Sequence, residues 1–464
     1  MRRGPKIVAW IAGIVAVLIV ASPLAYQALF PVPKHYDSDL EHFKFGSVGV
    51  EAARGVPYEV WRTLPGICMS AEDREKGYAK FGFLWEEGHP TPIGMPVETA
   101  LVPRVGINCA MCHVGRVEGP DGKLETLAGA PNTSLDLQDY LRFLFSCVGS
   151  NHFTADAVLA ENARVGGSFG LLDRFVYRYL VIPQMKNEIA GQARQMSFME
   201  GQTDWGPGRA PGFQPVKIQV LGIPFDGTLD IVDIPSLWAM EERDGQGLHW
   251  DGANTSLHEV FLSSGIGNGA TGRTIDLPSL ARNEAWSRTL PPPAYPFSID
   301  RGLASQGKPV FDAECASCHA LTGNRIGQAL PQRMVGTDRA RADAFTPETA
   351  AAFAALSDYS WTYKGFRMTG GYVAAPLDGI WARAPYLHNG SVPSLAALLT
   401  PPENRPATFR RGSPEYDPDA VGFVTDAGTP FDTTKPGNSA KGHVWGTDLS
   451  APDRRALLEY LKTL

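Results

Sequence analysis

The sequence predicts a mainly α chain in two domains, with long ordered loops and an enlarged N-terminal domain. Three observations predict it. The 464 residues exceed what one hydrophobic core usually organises. Gly (49) and Pro (37) make up close to a fifth of the chain against an average of about 12%, which favours loops that wrap a group over unbroken helices or strands. A Cys-x-x-Cys-His motif stands in each half, at 109–113 and 315–319.

The first element is the N-terminal segment, residues 1–30. Arg2, Arg3 and Lys6 precede an uncharged apolar run from Ile7 to Tyr26, which reads as an export segment with its start in the cytoplasm. An anchor retained in the inner membrane is favoured, because the run is nearly long enough to span and Ala21-Ser22-Pro23 is a poor cleavage site. A removed signal peptide is the alternative. Under either reading the remaining chain is periplasmic. The formal charge of −7, with both signs spread along the chain, gives no electrostatic reason for a nucleic-acid partner.

The N-terminal domain is expected over residues 31–290. It contains Asn108-Cys109-Ala110-Met111-Cys112-His113. Two residues between the thiols let both sulfurs reach one edge of a haem, and the His that follows turns beneath the ring to bind iron. A redox dithiol would be expected near a βαβ pattern, and a zinc site would need further ligands at suitable spacing; neither accompanies this motif. The same argument applies to Glu314-Cys315-Ala316-Ser317-Cys318-His319. The cofactors expected are therefore two covalently bound haem c groups, with iron on His113 and His319, and the domains are cytochrome c-like. Cys68 and Cys147 are left over. An oxidising compartment permits a disulfide between them, but sequence alone does not bring the two together.

The C-terminal domain is expected over residues 291–464. Asp300 to Ala313 reads as a helix feeding the second motif, with Leu303, Val310 and Phe311 apolar. Ser450-Ala-Pro-Asp453 resembles a capping box with Pro in the first turn, followed by Leu457, Leu458, Leu461 and Leu464 at helical spacing. The two helices are expected to cross at the edge of the second haem.

Phe43-Lys-Phe-Gly-Ser-Val, Asn108-Cys-Ala-Met-Cys-His, His249-Trp-Asp-Gly, Ala384-Pro-Tyr-Leu-His-Asn-Gly-Ser and Gly442-His-Val-Trp-Gly together resemble the bacterial di-haem cytochrome c peroxidase superfamily, and most closely its rubber oxygenase-like branch. The resemblance implies that Trp250 lies between two haems and, with His113, belongs to the catalytic centre. It also implies a sixth ligand for the second iron. His443 occupies the place of the family's ligand and His388 is the alternative, otherwise a group lying behind the ligands. Peroxidase members carry a Glu after the inter-haem Trp that moves protons at the O–O bond. Here Phe261 to Ala270 holds no carboxylate, and Glu259 and His258 could replace it only if turned inward. The expected function is therefore a haem-dependent redox enzyme using O2 or peroxide at the N-terminal haem, oxygenase-like in character. Electrons would pass through the C-terminal haem from a small redox protein or a quinol-linked donor. A peroxidase reducing H2O2 and a pure electron carrier are the alternatives.

Overall fold

The structure is a computed structural model and describes residues 32–357 and 359–464. The predicted segment 1–30 lies outside the described residues. Among them no helix is long and apolar enough to cross a membrane. The fold is α-rich, about 41% helix and 11% strand. Its strands form six small antiparallel pairs among the described residues rather than one sheet, as the Gly and Pro content favours.

The C-terminal helices form from the signals their sequence carries. Arg301–Glu314 begins at Asp300, whose carboxylate accepts the Leu303 N–H (2.9 Å). Ala451–Leu461 begins at Ser450, whose Oγ accepts the Asp453 N–H (3.3 Å) and donates to its carboxylate (2.7 Å). The two helices cross at Gly307, where a Cβ would stand 1.9 Å from the Ala456 carbonyl oxygen. Only glycine permits that approach. Phe311 meets Tyr460 beside the crossing (centroids 5.1 Å), and Leu457 and Leu461 are buried, each contributing about 1.5–3 kcal/mol.

Packing does not stop at residue 290. One apolar cluster joins Val117, Ala130 and Trp238 to Phe311, Trp381 and Leu457. Another joins Val48, Phe213 and Leu262 to Phe345, Phe353 and Phe366. A third, confined to the N-terminal part, contains Trp61, Tyr78, Leu144 and Cys147, and there Cys68 and Cys147 form a disulfide with Cα atoms 5.6 Å apart. The four cysteines of the two motifs take part in no disulfide among the described residues.

The stretch after Trp250 is regular rather than irregular. It is a helix, Leu257–Gly267, capped by Ser256, because Leu257, Phe261, Leu262 and Ile266 are all buried and fix its register. Glu259 points away into a loop junction, where its carboxylate accepts the N–H groups of Lys364 and Gly365 (both 2.9 Å) and the Asn254 amide (2.8 Å). His258 pairs with Glu284 (2.9 Å) on the exposed side.

Candidate haem sites

The first motif is pinned by the residue that precedes it. The Asn108 side-chain amide donates to the carbonyls of Phe43 (3.1 Å) and Gly46 (2.8 Å), and its Oδ1 accepts the Ala110 N–H (2.9 Å). This ties the Phe43–Gly46 segment to the Cys-x-x-Cys turn. Gly94 closes the other side, where a Cβ would lie 2.1 Å from the Met111 nitrogen. His113 ends the short helix Ala110–His113 and donates from Nδ1 to the Pro235 carbonyl (2.9 Å). Its Nε2 is thereby the basic nitrogen, the form a metal ligand needs.

The second motif repeats this logic. His319 Nδ1 donates to the Ala375 carbonyl (2.7 Å). Burial holds the pKa of His319 below its ordinary value and brings that of His113 to about 4, against the opposing pull of the Pro235 carbonyl. Both imidazoles are therefore neutral near pH 7. Burial also pushes the thiols up, Cys109 to about 11, Cys112 to about 12 and Cys315 to about 12. A dithiol oxidoreductase or zinc site depends on thiolates, the form that burial disfavours at these three cysteines.

The two sites differ in what stands across from the proximal His. The His443 ring lies 6.3 Å from that of His319, centre to centre. One metal between two imidazoles, with bonds of about 2.0 Å and roughly 1.1 Å from nitrogen to ring centre, gives about 6.2 Å, so a single iron fits. Burial and the neighbouring His319 bring the His443 pKa to about 4, so this imidazole is neutral too. Its loop is stapled by Arg405, which donates to the carbonyls of Ala440 (2.6 Å), Gly442 (2.8 Å) and His443 (2.9 Å). Gly442 packs on Gly336 with no room for a Cβ. Met334 and Met368, the methionines of 291–464, are 40% and 44% exposed. His388 instead stacks on Tyr372 (4.0 Å, 19°), and its carbonyl accepts the Asp233 N–H (2.8 Å).

The first site opens on a cavity of about 330 Å³ lined by Cys109, Cys112, His113, Trp250 and the inner face of helix 257–267. Among the described residues Asp233 is the one carboxylate lining it, and Arg411 binds that group (2.5 Å). Burial raises the Asp233 pKa to about 6 despite that pairing. Three guanidinium groups, Arg243, Arg341 and Arg383, also line the cavity. Nε of Arg243 and of Arg383 are buried without a partner, and burial lowers their pKa values to about 10 and about 9. Arg243 and Arg383 form no ion pair among the described residues, and buried cations of this kind fit a ligand that brings its own carboxylates, as the propionates of haem do.

Trp250 joins the sites through two short straps. Its Nε1 donates to the Asp233 carbonyl (2.8 Å), two residues before the Pro235 carbonyl that holds His113. Its own carbonyl accepts the Val373 N–H (2.9 Å), two residues before the Ala375 carbonyl that holds His319. The straps emerge from the strands Ile231–Asp233 and Gly371–Val373. Behind Trp250, Arg341 bridges Asp230 (2.6 Å) and Asp251 (3.1 Å), all three fully buried. Arg341, Arg243, Arg383, Arg405 and the two straps carry no sequence signal, since each acts through contacts distant in the chain. His249 was legible only as part of the His-Trp-Asp-Gly string.

Residues 371–410 match a family model described as RoxA-like, cytochrome c-like. The match covers the Ala375 strap, His388 and Arg405, and it implies a c-type haem. The chain is also similar to two uncharacterized proteins of Sinorhizobium fredii. It is 34% identical to y4iM over 284 residues, 50% of this chain and 64% of that protein. It is 34% identical to y4iJ over 247 residues, 38% of this chain and 41% of that protein. The chain thus spans less than two thirds of the length of these relatives.

Proposed function

We propose that the chain is a periplasmic di-haem c-type cytochrome, held at the inner membrane by its N-terminal segment, that uses O2 or peroxide at the His113 site and passes electrons through the His319/His443 site. A small redox protein or a quinol-linked donor supplies those electrons. The asymmetry between the sites carries this reading: a second imidazole faces His319 at 6.3 Å, whereas His113 faces a cavity of about 330 Å³.

Haem, when bound, supplies an iron that exchanges electrons and accepts a small ligand at an open position. The chain supplies the rest. The carbonyls of Pro235 and Ala375 orient the two proximal imidazoles and keep their Nε2 atoms basic. Phe213, Leu248, Val260 and Phe261 make the wall of the first cavity largely apolar and limit water. Trp250, bonded to both straps, supports short and rigid spacing between the centres.

An oxygenase-like reaction suits this wall better than peroxide reduction. The one lining carboxylate is tied to Arg411, and general acid–base help at an O–O bond is typically worth about 10²–10⁴-fold. In the reduced holoprotein one haem of the two should bind CO while the other stays low-spin, and oxidation of a reduced cytochrome by H2O2 should be slow. Two low-spin haems that ignore CO would make the chain an electron carrier. Fast peroxide turnover would make it a peroxidase.

A further inference from the structure

His249 precedes Trp250 in the chain and takes no part in the two straps or in the Arg341 ion pairs. Its backbone is left-handed, φ 61°, in a tight loop closed by the Leu248 N–H on the Asn254 carbonyl (2.8 Å). Such a conformation costs a non-glycine residue on the order of 1–3 kcal/mol and persists where the surroundings impose it. Here they do so through aromatic packing: Phe213 meets the imidazole edge-on at 5.1 Å and Phe366 lies along it at 6.2 Å.

The ring thus held lines the same cavity as Cys109, Cys112 and His113. Its Nε2 is buried with no hydrogen-bond partner, an arrangement that native interiors rarely tolerate without a role. Burial, reinforced by Arg341 and Arg243, brings its pKa to about 3. The imidazole is therefore neutral, with one N–H to donate and one nitrogen to accept. Among the described residues His113 forms no ring pair with His249, unlike His319 with His443 at 6.3 Å. The two rings of the first cavity do not close on one metal as those of the second site do.

We propose that His249 donates a hydrogen bond to a diatomic molecule held in the first cavity, O2 in function and CO as its probe. This rests on the di-haem reading above. A neutral donor in a largely apolar wall, beside Phe213, Leu248 and Phe261, polarises the far atom of such a molecule and delays its loss, the task the missing family carboxylate would not perform.

The test uses the reduced holoprotein under CO, with the C–O stretching band read by infrared spectroscopy in the wild type, His249→Phe and His249→Gln. His249→Phe should raise the band frequency, and air should oxidise the reduced first haem about tenfold faster, as expected for the loss of one hydrogen bond. His249→Gln, which keeps an N–H donor, should restore most of both. An unchanged band and rate in His249→Phe would overturn the proposal. So would a low-spin ferric first haem that becomes high-spin in His249→Phe, since His249 would then be an iron ligand. Absence of any CO adduct in the wild type would instead sink the di-haem enzyme reading itself.

Discussion

Replacing Arg341 with Met should destabilise the chain, because among the described residues this side chain is the only cation paired with the two buried carboxylates Asp230 and Asp251. Arg341, Asp230 and Asp251 have side-chain exposures of 2%, 0% and 5%. Burial disfavours the charge on Arg341, yet Asp251 and Asp230 together hold its pKa above the ordinary value. Methionine keeps most of the volume and the packing on Phe213 (4.4 Å) but leaves two carboxylates without a counter-charge. Removing one partner of a buried ion pair costs about 3–5 kcal/mol. At about 2–4 °C per kcal/mol for domains of 150–250 residues, the melting temperature should fall by about 6–20 °C. Circular dichroism at 222 nm measures this. The triple variant Arg341→Met, Asp230→Asn, Asp251→Asn removes the stranded charges and should recover a large part of the loss. A melting temperature within about 2 °C of wild type in the single variant, against the expected range, would refute the argument. A triple variant no better than the single one would show that the loss came from packing.

Three further outcomes follow from the sites. Denatured protein should retain two haems through acidic organic extraction, and Cys315→Ala with Cys318→Ala should retain one; quantitation as the pyridine complex decides this, and a wild-type value of one would exclude the second site. His443→Ala should convert the second haem to five-coordinate or water-ligated iron and raise its potential, while His388→Ala should leave the low-spin spectrum largely intact, because His388 stacks on Tyr372 rather than facing His319. The opposite pattern would exchange their roles. Cys68→Ala with Cys147→Ala opens a loop of sequence separation 79 and should lower stability by about 2–5 kcal/mol, read from denaturant unfolding with the slope compared between variants.

What the sequence by itself determined lies close along the chain. The Cys-x-x-Cys-His turns at 109–113 and 315–319 are legible because both thiols and the His must reach one group from adjacent positions. The helices Arg301–Glu314 and Ala451–Leu461 are legible because their caps and apolar spacing act within a few residues. The tertiary structure alone decided everything that depends on chain closure. It brought Cys68 to Cys147, turned Glu259 out to the 364–365 loop, and set His443 rather than His388 across from His319. It also laid the Asp233–Pro235 and Val373–Ala375 straps on either side of Trp250, and set the ring of His249, its Nε2 unpartnered, in the wall of the cavity that His113 lines. Each of these is a contact between segments many residues apart, fixed by the packing of whole elements. Residue spacing carries no record of it.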